Sequence, residues 1–100
     1  MILRINTKDP KVAKVAVKNG SKVIRELTKK NEYGSQVLLP LVTKLLDREN
    51  LTFQDLKGIE VETGPGSFTG IRIGVSVANA LAYSLNIPVN GKKIETELVY

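Results

Sequence analysis

The eleven residues at positions 64–74, Gly-Pro-Gly-Ser-Phe-Thr-Gly-Ile-Arg-Ile-Gly, constrain the fold more than any other stretch of this chain. A segment with four glycines and one proline cannot form the interior of an ordinary helix or strand. An alternating pattern typical of a strand precedes it, and a helical pattern follows it. Residues 64–70, which we call the glycine loop, are therefore predicted to join a strand to a helix.

Such a loop leaves backbone N–H groups unpaired beside the positive end of a helix dipole, an arrangement that suits a phosphate or a carboxylate. The candidate anion- or nucleotide-binding residues are Gly66, Ser67, Phe68, Thr69 and Gly70. The glycines follow neither the Walker pattern nor the dinucleotide pattern Gly-x-Gly-x-x-Gly, because one extra residue separates the last two. A tight turn without a ligand, in which Ser67 and Thr69 cap the helix, is the other interpretation.

Small residues recur every four positions along the predicted helix, so they lie on one of its faces, which another helix could approach closely. We predict that this small-residue stripe is a partner interface with a polar rim. The interface residues are Gly70, Gly74, Ala78, Ala82, Asn79 and Tyr83. The alternative is that the stripe packs inside the domain, against another helix or the sheet.

The composition restricts the chemistry of the chain. One hundred residues are enough for one domain with a single core. The absence of cysteine and histidine excludes disulfides, thiolate metal sites and catalysis of the Ser-His-Asp or Cys-His type. Ser67 has no obvious activating base. We therefore predict a non-enzyme with no catalytic residue, cofactor or metal site, and, without an apolar run that could span a membrane, a cytoplasmic location.

The net charge of +5 is unevenly distributed. Residues 1–34 contain nine Lys and Arg against three acidic residues, whereas residues 35–100 contain six against seven. A basic region can attract nucleic acid. However, Lys14, Lys18 and Lys22 lie on a predicted hairpin without interleaved aromatic side chains, and a solvated strand face explains them as well. Direct contact with nucleic acid stays open.

A hairpin is predicted for residues 12–28, with its turn at an Asn-Gly pair. A two-residue turn would place Lys14 opposite Arg25, whereas a three-residue loop pairs Lys14 with Glu26. We prefer the three-residue loop, which also gathers apolar side chains on one face of the hairpin. These side chains are Ala13, Val15, Val17, Val23 and Leu27.

A helix is predicted for residues 35–48, because apolar residues recur on one side of it. Pro40 lies too far inside for a simple first-turn proline, so the helix either bends there or begins there. After this helix, Thr52 and Asp55 resemble a capping box for one short turn that ends at Gly58. The residues on the apolar side of the helix are Leu38, Leu41, Val42, Leu45 and Leu46.

The remaining segments complete an α/β pattern. Strands are predicted for residues 1–6 and 59–63, and a second helix for residues 69–85, which ends at Asn86. Residues 92–100 fit either a helix or a strand. The order β-β-β-α-β-α-β predicts an α/β layer in which an antiparallel hairpin joins a mixed sheet.

Three segments occur in the order expected of one known family. Residues 3–7 (LRINT), residues 35–40 (SQVLLP) and the glycine loop followed by Arg-Ile-Gly resemble the first lobe of the TsaB (YeaZ) family, within the actin/Hsp70/sugar-kinase-like superfamily. The resemblance covers nearly the whole chain. It implies a ribonuclease H-like, actin-like ATPase lobe over residues 1–100, with the second lobe of the family absent. The matched apolar stripes predict that both helices pack on one face of the sheet.

The resemblance also implies a function. TsaB proteins are non-catalytic scaffolds that pair with TsaD in the biosynthesis of threonylcarbamoyladenosine in tRNA, with TsaE as the ATPase of the set. In the family the first lobes pair through their helices. We therefore expect a homodimer of the isolated chain and a heterodimer when TsaD is supplied, while direct contact with tRNA stays open.

The alternative function is a phosphate- or nucleotide-binding enzyme domain, either an M22 glycoprotease-like hydrolase or a fragment of an acyl or phosphoryl transferase. Two departures from the family pattern bear on it. The first strand ends in Asn6-Thr7-Lys8 instead of Asp-Thr-Ser, which removes the acidic residue that helps to hold a metal–nucleotide in active members of the superfamily. Glu60 and Glu62 make the strand before the glycine loop less apolar than usual.

Overall fold

A computed structural model describes residues 1–9, 11–30 and 35–99 of the chain. Within these residues, strands and helices alternate in the predicted order as far as the second long helix. The strands are β1 (Ile2–Asn6), β2 (Val12–Asn19), β3 (Lys22–Lys30) and β4 (Gly58–Val61). The long helices are α1 (Ser35–Arg48) and α2 (Phe68–Leu85), and a single 3-10 turn, Phe53–Asp55, precedes β4.

The four strands form one mixed sheet in the order β3-β2-β1-β4. β1 pairs antiparallel with β2 and parallel with β4. The strand predicted after α2 is reduced to a single parallel bridge between Val89 and Ile59. Asn90 and Gly91 follow that bridge with positive φ angles of 50° and 76°, which turn the chain away from the sheet.

Both long helices pack on the same face of the sheet, as predicted. Alternate residues of the strands point toward this face and share one core with the apolar sides of both helices. α1 contacts β2 and β3, α2 contacts β1 and β4, and the two helices contact each other. The buried side chains of this core include Leu3, Ile5, Val15, Val17, Leu38, Val42, Leu45, Ile59, Ile71 and Val75.

The register of the β2–β3 hairpin differs from the predicted one. Lys14 lies opposite Thr28 rather than Glu26. The turn contains two residues rather than three, because Asn19 already pairs with Lys22. Both predictions about this hairpin, the loop length and the cross-strand pair, are therefore wrong.

A β-bulge is the reason for this shift. The register changes between Val17 and Lys18, so that one residue of β3 has no direct partner in β2. Arg25 is thereby placed opposite Val17, on the helix side of the sheet, where its guanidinium forms an ion pair with the Glu49 carboxylate. Val23 moves away from the apolar face and is 46% exposed, so its predicted place on that face is wrong.

The helix boundaries resolve one alternative that the sequence left open and correct one predicted cap. α1 begins at Ser35 and runs through Pro40, so the helix does not begin at the proline. α2 begins at Phe68, and Ser67 is its N-cap. Thr69 lies inside the first turn of α2 and does not cap it, contrary to one of the predicted caps.

The ends of the shorter elements are also defined. Asn86 ends α2 in a left-handed conformation with φ at 56°, as predicted. The short turn ends at Asp55, not at Gly58, and the Thr52 N–H donates to the Asp55 carboxylate at 2.7 Å, as a capping box requires. Residues 92–99 form neither a helix nor a strand, and the last residue of that prediction lies outside the described part. None of the helices described has the length and apolar character needed to cross a bilayer.

Candidate functional site

The glycine loop lies at the end of the sheet that is formed by the carboxyl-terminal ends of β1 and β4. Because these two strands are parallel neighbours, the residues that follow them meet at the same place. Thr7 and Lys8, which follow β1, contact the glycine loop and the first turns of α2. Thr7 and Lys8 therefore determine how much space remains beside the glycine loop.

Two N–H groups of the glycine loop are already paired within the chain. The Ser67 N–H donates to the Lys8 carbonyl at 2.8 Å. The Gly70 N–H donates to the Ser67 hydroxyl at 3.2 Å, which makes Ser67 the cap of α2. An anion that used either of these N–H groups would have to compete with its existing bond. Anion binding by residues 66–70 stays a prediction, and the observed bonds favour the tight turn.

Two glycines of the loop are in direct contact with the end of β1. A Cβ atom at Gly66 would lie 2.7 Å from the Lys8 Cβ, and one at Gly70 would overlap the Thr7 carbonyl oxygen. The buried Thr7 hydroxyl donates to the Gly70 carbonyl. Glycine at these positions lets the loop and α2 approach β1 more closely than any residue with a side chain would allow.

The small-residue stripe packs inside the domain, which corrects the predicted partner interface. A Cβ atom at Gly74 would overlap the Thr7 hydroxyl and lie 3.6 Å from the Ile5 Cγ2. The side-chain amide of Asn79 donates to the Glu95 carbonyl at 2.9 Å and accepts the Glu95 N–H at 2.8 Å. The stripe residues that are buried in this chain alone are Gly70, Gly74, Ala78 and Ala82.

Tyr83 is the predicted interface residue that the fold leaves on the surface, with 82% of its area exposed. A contact between the exposed side of α2 and a partner therefore stays a prediction, whereas the four stripe residues cannot form such a contact in this fold.

The end of β1 carries no acidic cluster. The Asn6 side-chain oxygen accepts the Lys8 N–H at 3.2 Å, a local bond that supports the turn after β1. Among the residues that the structure describes, no three acidic side chains are grouped so that they could hold a metal ion.

Comparisons with known proteins agree with this geometry. The family model described as "TsaD: tRNA N6-adenosine threonylcarbamoyltransferase" matches residues 11–91. The tRNA threonylcarbamoyladenosine biosynthesis protein TsaB of Bacillus subtilis is 36% identical over 89 residues, which are 89% of this chain and 39% of that protein. The protein of the same name from Buchnera aphidicola subsp. Schizaphis graminum is 40% identical over 72 residues, 70% of this chain and 34% of that protein.

Among solved structures, YeaZ from Pseudomonas aeruginosa has a TM-score of 0.78 at 30% sequence identity, over 88% of this chain and 41% of that one. The chain belongs to the TsaB (YeaZ) family. The match confirms the predicted fold class, a ribonuclease H-like lobe of the actin-like kind. This TsaB-family chain spans 39% of the length of the Bacillus subtilis protein and 41% of the solved YeaZ chain.

Glu60 of β4 has a structural explanation in this TsaB-family lobe. It lies on the sheet face opposite α1 and α2, where no helix of the described residues packs. The Glu60 carboxylate forms an ion pair with the Lys18 ammonium at 2.7 Å, and the exposed side chain of Arg4 lies beside Glu60 in the sheet. Charged residues at alternate positions thus fit a sheet face that meets water.

The outer side of the two helices carries a further surface. Ser76, Ala80 and Ser84 are exposed and form a second row of small residues at four-residue spacing on α2. Leu39 of α1 is 40% exposed beside this row. Together they border a shallow cavity of about 460 Å³, which we call the outer groove. The outer groove is lined by Leu39, Ser76, Val77, Ala80, Leu81 and Ser84.

Proposed function

We propose that this TsaB-family domain is a non-catalytic subunit that pairs with a TsaD-type protein in the biosynthesis of threonylcarbamoyladenosine in tRNA. The observation that carries the proposal is the contrast between the two rows of small residues on α2. The inner row is buried against the sheet of the same chain, whereas the outer row is exposed along a groove beside α1. The matched relatives are named for this biosynthesis, which supports the choice of pathway.

The contacts of the glycine loop support a structural role for it. The Ser67 hydroxyl is engaged as a helix cap, and the chain contains neither histidine nor cysteine that could activate a nucleophile. Asn6 stands where active members of the superfamily carry an acid, and its side-chain oxygen is bonded to the Lys8 N–H. Close packing of the loop on β1 is sufficient to explain its glycines.

The outer groove has the character of a surface on which another helix docks. Small side chains let two helices approach to the short end of the usual interaxial range of about 8–10 Å. Leu39 and Leu81 supply apolar area, and the exposed ring of Tyr83 is an amphipathic group of the kind found at interfaces. A helix of the TsaD-type protein is the occupant that we propose.

The remaining partners follow from this assignment. Without the TsaD-type protein, the outer grooves of two copies of the chain pair with each other and give a homodimer. A TsaE-type ATPase completes the set as a separate protein. The proposal requires no direct contact between this chain and tRNA.

A single substitution in the outer groove tests the function in the source cells. Ala80→Arg places a long charged side chain in the groove at an exposed position, so the fold is expected to survive. We expect the amount of threonylcarbamoyladenosine in total tRNA, measured by mass spectrometry of nucleosides, to fall several-fold. Gln54→Arg, an exposed position in the 3-10 turn, is the matched control and should leave that amount unchanged. A normal amount of modified nucleoside in cells that contain only the Ala80→Arg protein would refute the proposal.

A further inference from the structure

The outer edge of β4 is covered by pieces of the C-terminal segment instead of a fifth strand. Ile59 is paired through its backbone, with bonds of 2.9 and 2.8 Å. Val61 donates to the side-chain amide of Asn90 at 2.9 Å and accepts from it at 3.1 Å. Beyond the end of β4, the Thr63 carbonyl accepts the Val99 N–H at 2.7 Å. Along this edge, the outward-facing backbone groups of Ile59 are thus paired with backbone, those of Val61 with a side chain, and the carbonyl of Thr63 again with backbone.

One buried carboxylate, that of Glu95, links the residues that cover the outer edge of β4. The Glu95 side chain, 4% exposed, accepts hydrogen bonds from the Asn90 amide at 2.7 Å, the Lys92 ammonium at 3.1 Å and the Glu97 N–H at 2.9 Å. The backbone of Glu95 is paired twice with the side-chain amide of Asn79. Glu95 therefore ties the cover to β4 through Asn90 and to α2 through Asn79.

Val89 is fully buried and anchors the start of this segment in the core, whereas residues 92–99 have little apolar attachment. Most side chains of residues 92–99 are exposed, and Leu98 is partly buried against the core. Segments with few buried apolar contacts open locally at a lower free energy than the core unfolds. The Val99 carbonyl also lies directly against Gly64, so the cover closes the junction between β4 and the glycine loop.

We propose that residues 90–99 form an edge cover with a closed and an open state, and that the Glu95 carboxylate is the latch that holds it closed. In the open state, Val61 and Thr63 lose their outer hydrogen bonds and Gly64 becomes accessible. An unpaired strand edge is a template for pairing with another chain, so the latch controls whether the β4 edge is available. The edge cover is separate from the outer groove and does not depend on pairing with a TsaD-type protein.

Amide hydrogen exchange of the full chain, resolved for single residues by NMR, tests the latch. Glu95→Gln keeps the size of the side chain and removes its charge, and exchange of the Val61 and Val99 N–H groups should accelerate about ten-fold or more. Glu97→Gln is the matched control, because this carboxylate is 84% exposed and reaches the latch only through a 3.8 Å ion pair with Lys92, so the same two rates should stay close to those of the wild type. Exchange in β1 should be unchanged in both variants. Equal rates at Val61 and Val99 in the two variants would overturn the proposal.

A second pair of variants decides the question if Glu95→Gln does not fold. Lys92 donates to the Glu95 carboxylate from a partly exposed position, and Lys93 is its exposed neighbour. We expect Lys92→Gln to accelerate exchange of the Val99 N–H about three-fold relative to Lys93→Gln, because it removes one of the bonds that close the latch. The absence of any difference between these two variants would overturn the proposal in that case.

Discussion

The hydroxyl group of Thr7 donates a hydrogen bond to the carbonyl oxygen of Gly70, although the two residues are 63 positions apart in the sequence. This bond joins the end of β1 to the first turn of α2. The Lys8 carbonyl accepts the Ser67 N–H next to it. The end of β1 and the glycine loop are therefore held together by two hydrogen bonds within the chain.

Gly74→Ala tests how closely α2 packs on β1. At an open helical position the change would stabilise the protein by about 1 kcal/mol through helix propensity. Here a Cβ atom would overlap the Thr7 hydroxyl, so we expect the free energy of unfolding in urea to fall by about 1–3 kcal/mol. Thr7→Ala in the same chain should relieve the overlap, and the double variant should lose less stability than the sum of the single ones. A stabilised Gly74→Ala variant would contradict this account of the packing.

Ala78→Leu and Ala80→Leu form a matched pair on α2. Ala78 is buried and Ala80 is exposed, although the same side chain is added at both. We expect Ala78→Leu to lower the free energy of unfolding by about 1–3 kcal/mol through overpacking. Ala80→Leu should change it by about 0.5 kcal/mol or less, as surface substitutions usually do. Equal melting temperatures of the two variants would show that the stripe is not a core element.

Ser67→Ala separates the capping role of this hydroxyl from a catalytic one. Loss of the bond to the Gly70 N–H should lower the free energy of unfolding by about 1 kcal/mol, and Ser67→Asp, which can still cap, should retain most of it. The isolated wild-type chain should hydrolyse neither peptides nor ATP. Turnover by the purified wild type that disappears in Ser67→Ala would count against the structural role.

The Glu95 carboxyl makes stability depend on pH in a defined direction. Burial alone raises the pKa of this carboxyl, but the hydrogen bonds from Asn90, from the Glu97 N–H and from Lys92 outweigh burial and hold the pKa below its ordinary value of 4.5. A carboxyl whose pKa is lower in the folded state stabilises that state above its unfolded pKa. This contribution is lost as the pH falls through the folded pKa.

Urea denaturation at several pH values checks this direction. Below pH 4.5, the ordinary pKa of the carboxyl, the free energy of unfolding should fall more steeply for the wild type than for Glu95→Gln. Glu97→Gln removes an exposed carboxylate and should follow the wild type. Identical pH profiles of the wild type and Glu95→Gln would mean that the Glu95 carboxylate does not stabilise the fold.

Features that depend only on residues close together in the sequence were predictable from it. The apolar period of α1 places Leu38 and Leu45 in the core, and Asn86 ends α2 where an amide residue in a left-handed conformation is favoured. The hairpin register was not predictable, because it places Arg25 where it can pair with Glu49, 24 positions away. The Asn-Gly turn signal and the charges within the hairpin contain no information about the contact between Arg25 and Glu49.

The candidate site likewise combines a feature that is recognisable in the sequence with contacts between residues far apart in it. The glycine loop is recognisable from its composition, but the reason for Gly70 and Gly74 is Thr7, which packs on them from another element. Glu95 lies in a segment whose alternation fits either a helix or a strand. Its burial depends in part on Asn79 of α2, and hydrophobic periodicity carries no signal for a polar contact of this kind.

The mass of the particle formed with a TsaD-type protein tests the central claim most directly. Size-exclusion chromatography with light scattering should give a one-to-one heterodimer for the wild-type chain and for Gln54→Arg. Ala80→Arg should elute as separate components. Its melting temperature should match that of the wild type when both are measured at a concentration at which the isolated wild-type chain is monomeric, because the substitution lies in the exposed outer groove. A heterodimer that forms as readily with Ala80→Arg as with the wild type would contradict the claim that the outer groove binds the partner.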